Sequence, residues 1–322
     1  MTERRRAEPA GTTARYHPPM SAEQGSSSKA ILYAFLANFG IAITKSAAAA
    51  YTNSGSMLAE AIHSYADCTN QVLLFLGLKQ AEKPPTAEHP LGYGKENYFW
   101  SFVVALLLFS IGGLFSIYEG WHKLSEPEAL NQPWVALSVL GLAIVLETAS
   151  LVGCLREIAK LRRGRPFQDW LRHTRNAELV VVLGEDVAAL AGLAIAFGFV
   201  ALAAATGDTR YDAVGSIVIG AVLILVAAFV AKRIRSLLIG KSAEPQLRRR
   251  IDDLIAAEPA IEALLNTITL QMGPQIVLAA KVRMRSGITI DEAVGHLNVL
   301  ERRIKEAHPE VGWCFIEPDV SD

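Results

Sequence analysis

The sequence predicts an α-helical membrane protein, with six transmembrane helices followed by a small cytoplasmic α+β domain. Three observations carry this. The chain of 322 residues is 51% hydrophobic, and its mean hydropathy of +0.27 is high for a soluble chain of ordinary composition. A net charge of -1 conceals a segregation in which apolar blocks carry almost no charge and basic residues crowd the links between them. Beyond about Gly240 the long apolar blocks give way to short alternating runs.

Taken in order, residues 1–28 are polar, with Arg4, Arg5, Arg6 and the run Ser26, Ser27, Ser28, and are expected to form a disordered cytoplasmic tail. Residues 29–239 are expected to form the membrane domain. A span needs roughly 20 apolar residues, and the candidates are Ala30–Tyr51, Ser56–Lys79, Phe99–Tyr118, Trp134–Leu155, Ala177–Ala205 and Val214–Ala231. None contains proline, which favours helix. The second and fifth are the most polar.

The links set the orientation. Arg156, Lys160, Arg162, Arg163, Arg165, Arg172 and Arg175 lie between the fourth and fifth candidates. Lys232, Arg233, Arg235 and Lys241 follow the sixth, and Lys79, Lys83 and Lys95 lie between the second and third. Thr52–Gly55 has no basic residue, and the two remaining links carry only Lys123 and only Arg210. This alternation puts both termini in the cytoplasm, and a bacterial inner membrane is the expected location.

Residues 240–322 read as the cytoplasmic domain. Leu247, Ile251 and Leu254 have helical spacing. Ile268, Leu270 and Met272 alternate with Thr267, Thr269 and Gln271. Leu278, Ala280, Val282 and Met284 alternate with Lys281, Arg283 and Arg285, giving a second strand. Asp291 is placed to cap a helix bearing Val294, Leu297, Leu300 and Ile304, and Trp313–Ile316 suits a third strand. The order helix, strand, strand, helix, strand suits a small ferredoxin-like or metallochaperone-like sandwich. Its core is small enough that pairing with a second copy is expected.

Chemistry concentrates in two spans. In the second, His63 and Asp67 are four residues apart and share a helical face, with Glu60 and Asn70 extending the stripe. The fifth contains Glu185 and Asp186. An Asp at the bilayer centre costs roughly 2.5–3.5 kcal/mol on insertion scales. One imidazole and two carboxylates, His63, Asp67 and Asp186, suit Zn²⁺ with water as a fourth ligand. The bland alternative is helix–helix glue. Lys45 and Glu147 read as structural, with Lys45 paired to Glu60 or Glu147. Glu185 points about 100° away from Asp186 around the helix, as a packing group or an accessory ligand. His89-Pro-Leu-Gly-Tyr93-Gly-Lys-Glu96 reads equally as a turn or as an entry loop. Gly112 and Gly113 read as close-packing positions. The three cysteines, Cys68, Cys154 and Cys314, are too dispersed for a disulfide framework or a thiolate cage.

The residues Glu60-Ala-Ile-His63-Ser-Tyr-Ala-Asp67-Cys-Thr-Asn70-Gln71, the segment His89–Glu96 and the pair Glu185-Asp186 resemble the cation diffusion facilitator family of zinc and related metal exporters. The likeness runs from Ser28 onward. It is strongest to the branch that includes a mitochondrial zinc transporter of animals, where a Glu-Asp pair opens the fifth-helix motif. The resemblance implies a homodimer, paired through the C-terminal and transmembrane domains, that exchanges a cytoplasmic divalent metal for protons. Zn²⁺ is then the transported substrate rather than a cofactor, and neither an enzymatic activity nor a nucleic-acid partner is expected. It also implies a metal site of two residues four apart on each of two helices. His63 and Asp67 match the first pair and Asp186 the second member of the other, but Val182 stands where its partner would be. Water, Glu185 or Asn70 is left to complete the shell. His89 is an accessory candidate, although Tyr93 replaces a second histidine. His296 and His308 form no cluster in the C-terminal domain. Other readings are an exporter of Mn²⁺, Fe²⁺ or Co²⁺, a non-transporting dimeric scaffold, and an intramembrane metalloenzyme, for which no HExxH pattern is present.

Overall fold

The computed structural model describes residues 24–126, 132–162 and 164–321. Residues 1–23, most of the expected tail, lie outside the described residues, and helix α1 is already formed at Gln24. The helices are α1 (Gln24–Thr52), α2 (Gly55–Ala81), α3 (Glu96–Leu107), α4 (Leu114–Ser125), α5 (Pro133–Arg162), α6 (Phe167–His173), α7 (Ala177–Thr206) and α8 (Arg210–Gly240). A π-helical turn at Leu108–Gly113 joins α3 to α4 without a break. Each of the six apolar segments falls within one continuous helical stretch. Among the described residues four stretches are long and apolar enough to cross a membrane: α3 to α4, α5, α7, and the stretch beginning with α8. Helices α1 and α2 have 29 and 27 residues, and 27 residues extend about 40 Å. They carry the charged groups Lys45, Glu60, His63 and Asp67 and pack on each other within the same bundle.

Burial is organised around α2, α7 and α8. Met57, Leu140, Leu193, Ile219 and Leu223 form one core, and Leu74, Tyr98, Val104, Val181 and Val230 form another. Glycines set the tightest seam. A Cβ on Gly220 of α8 would stand 2.5 Å from the carbonyl oxygen of Gly113, and one on Gly120 of α4 would stand 2.6 Å from that of Ala213. The close-packing role expected of Gly113 is thus met, against α8.

Asp212 at the start of α8 serves as a cap for α2. Its carboxylate accepts from Gly55 N at 2.7 Å, Ser54 Oγ at 2.8 Å and Ser56 N at 3.3 Å. The first N–H groups of a helix have no partner within it, and an anion there also meets the positive end of the helix dipole. Lys123 Nζ donates to Asn53 O at 2.6 Å on the same side.

At the other end, the Arg-rich link contains a short helix, α6, that the sequence analysis did not foresee. Pro166 precedes it, and its buried Trp170 packs with Cys154, Ile158 and Leu183. Beyond α8 come α9 (Pro245–Ala256), β1 (Ile261–Met272), β2 (Gln275–Met284), α10 (Ile290–Ala307) and β3 (Val311–Pro318). The sheet order is β1-β2-β3, with β1 antiparallel and β3 parallel to β2. With three strands it lacks the first strand of the β-α-β-β-α-β ferredoxin-like unit.

Three local expectations are corrected. Strand β1 begins at Ile261 and not near Thr267, because register shifts between Ile261 and Ala263 and between Leu264 and Asn266 break the alternation. The cap of α10 is Thr289, not Asp291. Thr289 Oγ1 accepts from Glu292 N at 3.3 Å, and the Glu292 carboxylate accepts from Thr289 N at 2.9 Å. The faces of β1 also run against polarity: Thr267, Thr269 and Gln271 are buried whereas Ile268 is 63% exposed. The segment after α8 supplies the polar partners. Thr269 Oγ1 accepts from Ala243 N at 3.1 Å and bonds Ser242 Oγ at 2.6 Å, and Gln271 N donates to Lys241 O at 2.9 Å.

The two parts meet backbone to backbone. A Cβ on Gly94 would collide with the Met272 carbonyl, and one on Gly273 (φ 66°) with the Gly94 carbonyl. Tyr98 Oη donates to Gly273 O at 3.0 Å.

Overpacking a tight seam costs about 1–3 kcal/mol. Gly220→Ala should therefore lower the thermal unfolding midpoint of the purified protein. Gly198→Ala, where an added Cβ meets nothing within 4 Å, should not lower it.

Candidate metal pathway

Helix α2 must pass several ionisable groups through the bundle interior, and the structure divides them into two sets. The first is an ion pair. Lys45 Nζ of α1 donates to Glu60 Oε2 at 3.2 Å and to Ser64 Oγ at 2.9 Å, and both charged side chains are buried. Lys45 thus pairs with Glu60 rather than with Glu147. The other oxygen, Glu60 Oε1, lies against Gly192 of α7, where any Cβ would strike it.

The second set is polar but unpaired. His63 is fully buried, and its Nδ1 lies 3.7 Å from Asp67 Oδ1, one turn away on α2. Neither imidazole nitrogen, nor Asp67 Oδ1, nor either amide atom of Asn70 has a hydrogen-bond partner among the described residues. Facing α2, α7 contributes Glu185 and Asp186, both buried. Asp186 Oδ1 accepts from Ser150 Oγ of α5 at 3.1 Å, while Oδ2 is unpartnered. Glu185 stands beside Asn70, has Asp67 as its strongest charged neighbour, and keeps Oε1 unpartnered. Glu147 of α5 lies within electrostatic range of His63, Asp67, Glu185 and Asp186. A narrow cleft lined by Asn38, Ile41, Ser64, Asp67 and Glu147 opens between α1, α2 and α5.

Asp67, Glu185 and Asp186 therefore lie within electrostatic range of one another where α2, α5 and α7 meet, with His63 one turn from Asp67 on α2 and Asn70 beside Glu185. In this conformation they do not close into a shell: among the described residues no three His, Cys, Asp or Glu side chains stand close enough to hold a metal ion. Val182, one turn before Asp186 on α7, offers no donor and packs against the apolar clusters that hold Val181, Leu183 and Trp170. His89 lies outside this region. It is exposed on the α2–α3 link, with its ring edge-on to Tyr93 at 4.5 Å. In the C-terminal domain His296 Nδ1 meets Glu258 at 3.1 Å, and Arg303 shares that carboxylate.

Several members of the region escaped the sequence reading. Ser150 and Ser64 are short polar residues on apolar helices, a weak signal. Glu147 read as structural, yet it sits among the carboxylates. Gly192 looked like an ordinary small residue, and its role is visible only through the carboxylate it admits.

The bundle, its charged interior and the appended sheet define a helical integral membrane protein. Residues 31–239 match the family described as the cation efflux transmembrane domain, and the chain belongs to that cation efflux, or cation diffusion facilitator, family. It is 33% identical over 255 residues to the mitochondrial proton-coupled zinc antiporter SLC30A9 of Xenopus laevis, covering 79% of this chain and 45% of that one. It is 32% identical over 250 residues to metal tolerance protein C4 of Arabidopsis thaliana, covering 77% and 55%. The cation-efflux pump FieF of Serratia proteamaculans is 23% identical over 257 residues, covering 80% and 79%. The chain spans about half the length of the first two of these relatives.

Removing one partner of a buried ion pair costs about 3–5 kcal/mol, because the other charge is stranded. Lys45→Met should lower the unfolding midpoint markedly, and Lys45→Met with Glu60→Gln should recover most of the loss. Equal midpoints for the single and double variants would show that the pair is not coupled.

Proposed function

We propose that the protein exports a divalent cation, Zn²⁺ foremost, from the cytoplasm in exchange for protons. The observation that carries this is that His63, Asp67 and Asp186 each keep a buried nitrogen or oxygen atom without a hydrogen-bond partner among the described residues. Each unsatisfied buried polar group costs about 1–3 kcal/mol. A cluster of them on facing helices is accounted for by a ligand that visits. The relatives named as zinc antiporter and cation-efflux pump support the same reading.

The chemistry follows from the donors. Two carboxylates neutralise a dication, and an imidazole nitrogen tilts the set towards Zn²⁺ over an all-oxygen ion such as Mn²⁺. Glu185, beside Asn70 and nearest Asp67, supplies the donor that Val182 cannot. A small relative shift of α2 and α7 draws the donors onto the ion. Metal ligands must be deprotonated, so protons arriving from the far side compete for the same lone pairs and expel the metal. His63 carries a nitrogen that binds either a metal or a proton, which makes it the natural exchanging group.

In this reading α1 and α2 complete six spans, both termini are cytoplasmic, and residues 29–239 form the transport unit. Residues 240–322 pair with a second copy. The outer face of the sheet supports that pairing: Ile268 and Phe315 are 63% and 56% exposed and flank Ala279 in one cross-strand row. A bacterial inner membrane is the proposed location; the Xenopus relative is named as mitochondrial.

Reconstituted protein under an imposed pH gradient should drive zinc uphill. His63→Ala, Asp67→Ala and Asp186→Ala should each reduce the rate by about 100-fold, the scale of losing a ligand-shell contact, with Glu185→Gln intermediate and Val182→Ala near wild type. Uphill transport by Asp186→Ala at the wild-type rate would refute the site.

A further inference from the structure

On the side of the C-terminal domain, where α7 begins and α8 ends, the bundle has a cleft. Its wall includes Thr174, Asn176, Ala177, Val180, Arg233 and Lys241. Arg233 and Lys241 face each other there, with Arg175 also within electrostatic range of both. Arg175 is fully engaged, donating to the carbonyls of His173 at 2.6 Å, Ser242 at 2.7 Å and Ala243 at 3.1 Å. Among the described residues neither Arg233 nor Lys241 meets a carboxylate. Arg233 has one long contact, to Arg172 O at 3.4 Å. The acids nearby are committed elsewhere: Glu244 to Arg165 at 3.0 Å, while still in range of Arg175, and Glu178 to Asn97 at 2.5 Å.

Like charges thus converge without a counter-ion, at the N-terminus of a 30-residue helix whose first turn is fixed by the Asn176 cap on Leu179 N. Helix starts favour anions. The cavity volume of about 10 Å³ is that of a single water-sized atom, so a ligand inserts one oxygen and keeps its remainder outside. Behind the cleft Val180, Ile234 and Leu237 are buried, and just beyond it Ile239 is 72% exposed, where an acyl chain can lie.

We propose that this cleft binds the phosphate group of an anionic membrane lipid, held by Arg233, Lys241 and the first turn of α7. Basic pockets between helices at a membrane surface take such headgroups. The inference rests on the membrane placement of α7 and α8, and not on metal transport, so failure of either leaves the other standing.

The test uses the full chain in zwitterionic detergent, titrated with phosphatidylglycerol, phosphatidylcholine or inorganic phosphate and followed by native mass spectrometry and thermal unfolding. Phosphatidylglycerol should bind and raise the midpoint. Arg233→Gln with Lys241→Gln should weaken that binding roughly tenfold or more, whereas Lys241→Arg should keep it. Lys232→Gln with Arg235→Gln removes the same charge from exposed neighbours and should change it little. Equal loss in both double variants, or binding of phosphatidylcholine as tight as that of phosphatidylglycerol, would overturn the proposal. An equal, Lys241-dependent shift from millimolar inorganic phosphate alone would overturn the lipid assignment in favour of a free anion. Unfolding midpoints of the variants without lipid establish that each is folded.

Discussion

The arrangement of the bundle depends on one constraint: a helix carrying Glu60, His63, Asp67 and Asn70 cannot face hydrocarbon. Helix α2 is therefore lined on several sides by α1, α3, α7 and α8, with Glu60, His63 and Asn70 buried and Asp67 on the wall of the α1–α2–α5 cleft. Charge is handled in two ways along the same helix. Glu60 is matched by Lys45 and held close by the absence of a side chain at Gly192. One turn further on, His63 and Asp67 have no such partner. A neutralised lower step beside an unmatched upper step gives the stripe a direction, with the vacant valence concentrated where α2, α5 and α7 meet.

The rest of the fold fixes α2 at one end and leaves it adjustable elsewhere. Asp212 binds the start of α2 to the start of α8 through three hydrogen bonds. The glycine seam at Gly113, Gly120 and Gly220 locks α4 to α8 at backbone distance. Against α7, by contrast, α2 sets the Glu60 carboxylate on Gly192 and, nearer the start of α7, carboxylates and amides with unfilled valences. A bundle that is rigid along one seam and unsatisfied along another suits a helix pair that changes spacing when a cation arrives.

The long helices and the strand order of the final domain were legible because their patterns are strong: apolar blocks bounded by basic links, and period-two alternation in β2. His63 and Asp67 were legible because a charge inside an apolar run is costly and therefore conspicuous. What stayed hidden depends on distant partners. Glu147 could not be told from a structural acid until α5 was seen to face Asp67 and Asp186. Helix α6 is only seven residues long, too short for periodicity to declare it. The bulged start of β1 spoiled its own alternation, and buried Thr269 and Gln271 find their partners in the Lys241–Ala243 segment, elsewhere in the chain.

The meeting of Gly94 with Gly273 has a mechanical corollary. Two bare backbones in contact, with the Tyr98 hydroxyl bonded to the neighbouring Gly273 carbonyl, leave little compliant side chain to absorb displacement. The hairpin tip and the first turn of α3 must travel together as one lever. A shift of the sheet domain, however produced, is thereby delivered to the root of the membrane helices without slack, and a shift of those helices is felt equally in the sheet.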